Sequence, residues 1–131
     1  MIYKDNDYTH HMAHLTSSMC KKQLGNNKPL FFVGETIISG FVVPDDDPKL
    51  VADKDSDNSN PLFDIAAASI NIRTKDAKEE LSVEEIFTIE PTYLYLEDVT
   101  IKSLASGNKT SLAAFALRIS SIDGLSAGSL D

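Results

Sequence analysis

TYLYLEDVTIKSLASGNKTSLAAFALRISSI, Thr92 to Ile122, is the stretch that decides how this chain reads. Two apolar runs flank Ala105-Ser106-Gly107-Asn108-Lys109, a cluster of residues that turn easily. The pattern predicts a long antiparallel hairpin that serves as the spine of the fold. Tyr93 and Tyr95 alternate with Leu94 and Leu96, and the segment has no basic residue before Lys102. Aromatic packing across strands therefore fits these tyrosines better than stacking on nucleic-acid bases. If the hairpin also offers an edge to a partner, Lys102, Lys109, Glu97 and Asp98 are the first charges met.

Upstream, Ser82 to Ile89 is ambiguous. Ser82 with Glu85 suits a capping box, while Ile86-Phe87-Thr88-Ile89 suits a strand. A strand from near Glu85 is expected, followed by a corner at Glu90-Pro91. LFDIAAASINIRT, Leu62 to Thr74, is apolar at both even and odd positions, which predicts a central strand covered on both faces. Lys75 to Glu80 then reads as a charged turn. Thr36 to Val43 is rich in β-branched residues and holds Gly40, a site for a bulge or bend. Leu30 to Val33 is a further short apolar run. Between Pro44 and Pro61 lies a polar loop with six aspartates, in which Leu50 and Val51 are the large apolar residues able to pin it to the body.

The N-terminal segment changes period. Tyr8, Met12, Leu15 and Met19 fall at i, i+4, i+7 and i+11, one face of a helix over 8–24. Cys20 and Leu24 widen that stripe, Gly25 caps it, and Lys21 and Lys22 suit the negative end of the helix dipole. The stripe must cover something apolar, either the sheet of its own domain or a partner.

These elements predict a mostly β (α+β) protein. The expected architecture is a small curled antiparallel sheet or partly open barrel of five to six strands, with one N-terminal amphipathic helix. One domain is expected over 1–131, with a β-rich body at 30–122, an acidic loop at 44–61 and a frayed tail at 123–131. The order of helix, bent glycine-containing strand, loop, alanine-rich strand and hairpin resembles that of Sm-like proteins. The Sm signature pairs an Asp with a downstream Asn and places an Arg-Gly step before the last strand. Here the aspartate loop occupies the first region, and Arg-Gly does not occur. The resemblance thus implies element order alone, without the RNA-contacting residues, and assigns no family.

Charge is distributed unevenly. Residues 44–98 carry fifteen acids against five bases, whereas 1–43 and 99–131 are each net +1. Such a middle third repels phosphate backbones and suits a cation, a basic partner or simple solubility. No apolar run reaches the roughly 20 residues of a membrane span. Asp5 and Asp7 stand where a signal peptide would be basic, and the single Cys20 permits no internal disulfide. The expectation is a cytoplasmic protein that binds neither nucleic acid nor membrane.

Three constellations could carry chemistry. Asp53, Asp55 and Asp57 occupy positions 1, 3 and 5 of a calcium-type loop, and Asp64 falls at position 12. Against Ca²⁺ stand Asn58 where Gly is usual, Asn60 where an apolar residue is usual, and Pro61 at position 9; a solvated acidic loop is the plainer reading. His10 and His14 are four apart on the helix, with Asp7 and His11 nearby, a spacing that can hold Zn²⁺, Ni²⁺ or Cu²⁺. The His-Glu-x-x-His base is missing, and an exposed polar face is the plainer account. Cys20 has two lysines beside it, which lower a thiol pKa, but its place in the stripe marks a small buried hydrophobe. Glu84, Glu85, Glu90, Glu97 and Asp98 could pair as acid and base only if the fold assembles them.

No phosphate loop, nucleophile elbow or Cys-x-x-Cys is present, and no cofactor is implied apart from the calcium option. The leading expectation is a non-catalytic domain that works by protein association, with another chain or with itself. Calcium binding through 53–64 is the alternative. A small-ligand or catalytic pocket in the curled sheet is the second.

Overall fold

The computed structural model describes residues 5–23, 25–44, 46–50, 61–80 and 92–130. Helix α1 spans Asp5–Gln23 and helix α2 Pro61–Glu80. The strands are β1 (Lys28–Val33), β2 (Thr36–Val42), β3 (Tyr93–Ser103), β4 (Lys109–Arg118) and β5 (Gly124–Gly128). They form one antiparallel sheet in the order β4-β3-β2-β1-β5, which does not close. The protein is mostly β with an N-terminal helix, as its patterning predicts.

The hairpin at Thr92–Ile122 is present, with Leu94 opposite Leu117 and Leu96 opposite Phe115. Gly107, at φ 75°, supplies the left-handed residue its turn requires. Within β3 the apolar set changes phase. Leu94 and Leu96 are buried at even positions, then Val99 is buried and Ile101 packs at odd ones, all in a single cluster. The cause is Asp98, at φ 54°, together with a register shift against β2 between Ser39 and Phe41. The extra residue is a bulge, which turns the following side chains to the other face. Gly40 lies opposite: a Cβ there would stand 3.1 Å from Val99 Cγ2 and 3.4 Å from the Glu97 carbonyl oxygen. The bend predicted at Gly40 is thus a close backbone approach.

Leu62–Thr74 is not a strand, and the expectation of a single helix is corrected by α2. Phe63, Ala66 and Ala67 are buried while Ile65 and Ile72 are exposed, a 3.6-residue period. Pro61 fits the first helical turn, Asp64 complements the dipole, and three successive alanines favour helix. Lys75 to Glu80 belongs to the same helix rather than to a turn. The alanine-rich strand on which the Sm-like order depends is therefore absent. The tail is also corrected. Gly124–Gly128 pairs with β1 from Phe32↔Gly124 to Lys28↔Gly128. Its entry is held by Asp123, whose N–H donates to Phe32 O at 2.8 Å and whose carboxylate accepts from Gly34 N–H at 2.8 Å. The strand expected near Glu85, and the corner at Glu90-Pro91, lie outside the described residues.

Two apolar clusters form among the described residues. Ala13, Phe31, Ile38, Val42, Leu94, Leu96, Val99, Leu117 and Ile119 form the larger, which α1 joins through Ala13. Val43, Leu50, Phe63 and Ala66 form the smaller, with Tyr95 and Ala114 packed on it. Leu50 is buried in this cluster from a short helical turn at Pro48–Leu50, while Val51 and residues 52–60 of the acidic loop lie outside the described residues. No helix among the described residues is long and apolar enough to cross a membrane.

Candidate association surface

Helix α1 turns its small residues inward. Ala13, Ser17 and Cys20 are 0%, 3% and 1% exposed. They recur at i, i+4 and i+7 and let the helix axis lie close to β1 and β2. Ser17 does more than fill space: its Oγ accepts the Val42 N–H at 2.8 Å, satisfying a buried donor near the end of β2. The stripe of large residues faces the other way. Tyr8, Met12, Leu15 and Met19 are 58%, 55%, 66% and 53% exposed. The chain's own sheet does not cover this stripe. Cys20 leaves the stripe for the buried face, where burial pushes its thiol pKa up, as suits a packed hydrophobe.

Charge adds one side contact between α1 and the sheet. Glu97, half-buried on β3, accepts from Lys21 of α1 at 3.4 Å and from Lys49 of the helical turn at 3.0 Å. Lys28 of β1 reaches Asp98 Oδ2 at 2.8 Å and the Asp98 carbonyl at 3.2 Å. The Lys21 and Lys28 nitrogens also lie over the Phe41 ring, 5.3 Å and 5.5 Å from its centroid. Glu97 and Asp98 therefore bind elements of their own fold together on an interior strand. They are not the edge charges expected to meet a partner. Glu84, Glu85 and Glu90 lie outside the described residues.

The hydrogen bond to Glu97 raises the Lys49 pKa against an opposing effect of burial, and the charges of Glu97 and Asp47 add smaller upward contributions. A raised pKa in the folded state stabilises the fold fully below the unfolded value, about 10.4, and that contribution fades as pH climbs through the folded value. Lys49→Met is expected to lower stability in urea at pH 8. The gap to wild type should narrow as pH rises through the raised folded-state value. A constant gap would assign the effect to the aliphatic stem instead.

His10 and His14 do meet, with Nε2 atoms 3.1 Å apart and ring centroids 4.3 Å apart. A hydrogen bond between them needs the proton on one Nε2 and a bare lone pair on the other. His11 sits edge-on to His10 at 5.7 Å. Among the described residues no three His, Cys, Asp or Glu side chains are grouped to hold a metal ion. Of the calcium set only Asp64 is placed, exposed in the first turn of α2. Asp53, Asp55 and Asp57 lie outside the described residues.

Beside α1, His14, Ser17, Ser18, Lys21, Lys22, Val42 and Pro44 line a cleft of about 140 Å³. That is below the roughly 300–1,000 Å³ typical of small-molecule sites. No family model, curated protein or solved structure matches the chain.

The residues that sequence reasoning missed are Ser17, Glu97 as a bridge, and the inward face of α1. Ala13, Ser17 and Cys20 at helical spacing are the signal for that face. A search for large apolar residues passes over it.

Proposed function

We propose that this protein works by binding another protein chain through the outward stripe of α1, as a non-catalytic association domain. The observation that supports this reading is the exposure of Tyr8, Met12, Leu15 and Met19, each more than half accessible, on one face of a helix whose opposite face is already packed. Contiguous apolar patches on a folded surface mark interaction sites, and a helix laid along an apolar groove or a second helix is a recurrent mode. Cross-linking with mass spectrometry in the native extract tests it. Wild type should give links from α1 to another polypeptide chain, and Leu15→Lys should lose them. Links confined to the chain itself would contradict the reading.

A second reading rests on the histidine pair. Two nitrogens at about 2.0–2.1 Å from one tetrahedral ion stand about 3.3 Å apart, close to the 3.1 Å found between the two Nε2 atoms. With two protein ligands and water completing the sphere, the site would take Zn²⁺, Cu²⁺ or Ni²⁺ weakly. Titration with Cu²⁺ should give one saturable event, abolished in His14→Gln. The absence of saturable heat in wild type would end this reading.

A further inference from the structure

The exposed stripe is part of a longer pattern. Asp5, Tyr8, Met12, Leu15, Met19 and Lys22 follow one another at spacings of 3, 4, 3, 4 and 3 residues, the alternation of a coiled-coil seam. Asp5 and Lys22 are exposed like the four residues between them. An acid therefore closes the seam at the N-terminal end of α1 and a base closes it at the C-terminal end.

From this we infer that the chain covered by α1 is a second copy of the same chain, its own α1 lying antiparallel across a two-fold axis. This inference rests on the association reading above. The axis falls midway between Ala13 and His14, because the seam is its own complement about that point. Met12 of one copy then meets Leu15 of the other, Tyr8 meets Met19, and Asp5 meets Lys22, each contact occurring twice. Such self-complementarity is what a two-fold interface demands. A parallel pair would instead set Asp5 against Asp5 and Lys22 against Lys22, like charges at both ends. One flank of the seam is already satisfied within its own helix. Thr9 and Thr16 border the seam, and their hydroxyls already donate to Asp5 O at 3.3 Å and Met12 O at 2.7 Å of their own helix. Little further desolvation is needed there. Lys21 is engaged by Glu97, which leaves Lys22 as the base at the seam. The seam is six contact layers long, only the middle four of them apolar, so the dimer is weak and depends on concentration.

The test is sedimentation velocity on the purified full chain over a dilution series at low salt, with circular dichroism to verify folding. Wild type should move from 14.3 kDa toward twice that mass as concentration rises. Leu15→Lys, and the milder Leu15→Gln, should remain monomeric. Asp5→Lys alone and Lys22→Glu alone should each weaken the dimer about tenfold, because two contacts pass from attraction to repulsion. An equimolar mixture of these two variants should recover wild-type affinity. A dimer indifferent to the single charge reversals overturns the antiparallel register, and a dimer indifferent to Leu15→Lys overturns the use of this face. A wild type that stays monomeric overturns self-pairing. Links from α1 to a foreign chain in the extract would then leave the association reading standing, whereas their absence would remove both.

Discussion

Ala13→Leu is expected to destabilise the fold by about 1–3 kcal/mol, while Leu15→Ala changes it by less than about 0.5 kcal/mol. This inverts the usual ranking of the two residues. Ala13 is fully buried at the contact between α1 and the sheet, inside the larger cluster with Phe31 and Ile38. Added methylenes there have no space and must either move the helix off β1 and β2 or force poor rotamers. Moving the helix also strains the Ser17 acceptor on the Val42 N–H and the Lys21 contact to Glu97. Leu15 is about two-thirds exposed, so trimming it opens no cavity. Alanine is also the better helix former. Urea unfolding of dilute protein, where association contributes least, reads both values. A costly Leu15→Ala beside a tolerated Ala13→Leu would mean that the helix packs on its large face.

Leu96→Ala is expected to cost about 2–5 kcal/mol, a large share of the 5–15 kcal/mol typical of a folded domain. Leu96 is fully buried on β3, opposite Val42 of β2 and Phe115 of β4. Its neighbourhood cannot easily collapse onto a void. Gly40 brings the β2 backbone close to β3 at the bulge, and ladder hydrogen bonds hold the strands on both sides. The loss therefore includes the transfer of the removed methyl groups and the cavity they leave. Chemical denaturation with an unchanged slope would carry the measurement. A loss below about 1 kcal/mol would indicate that the centre of the core lies elsewhere.

The hairpin was legible because two signals agreed. Alternating Leu94 and Leu96 mark a half-buried strand, and Ser106-Gly107-Asn108 marks its turn. The bulge was written in the same stretch, as the apolar set passes from Leu94 and Leu96 to Val99 and Ile101, but strict alternation does not look for a change of phase. At Leu62–Thr74 apolar residues on both sides of a strand pattern suit a central strand and a helix about equally. Pro61, Asp64 and the alanine run settle it for helix. The tail misled because GLSAG is small and nearly free of apolar bulk. Its pairing with β1 comes from backbone hydrogen bonds and from Asp123, neither visible in hydropathy. The stripe on α1 is plain in its periodicity, which leaves two covers open, the chain's own sheet or a partner. The choice between them depended on Ala13, Ser17 and Cys20, whose small volumes suit close approach to the sheet.

The large face of α1 is exposed in the single chain, and the association proposed above requires that a second chain cover it. Oxidation of Met12 and Met19 by dilute peroxide, read as sulfoxide by mass spectrometry, measures this on the two residues in question. In purified, diluted protein both should oxidise at rates close to those of the unfolded chain. In the native extract, or at high protein concentration, both should be protected together. Protection under every condition would place the stripe in the core, and reactivity under every condition would mean that no chain covers it.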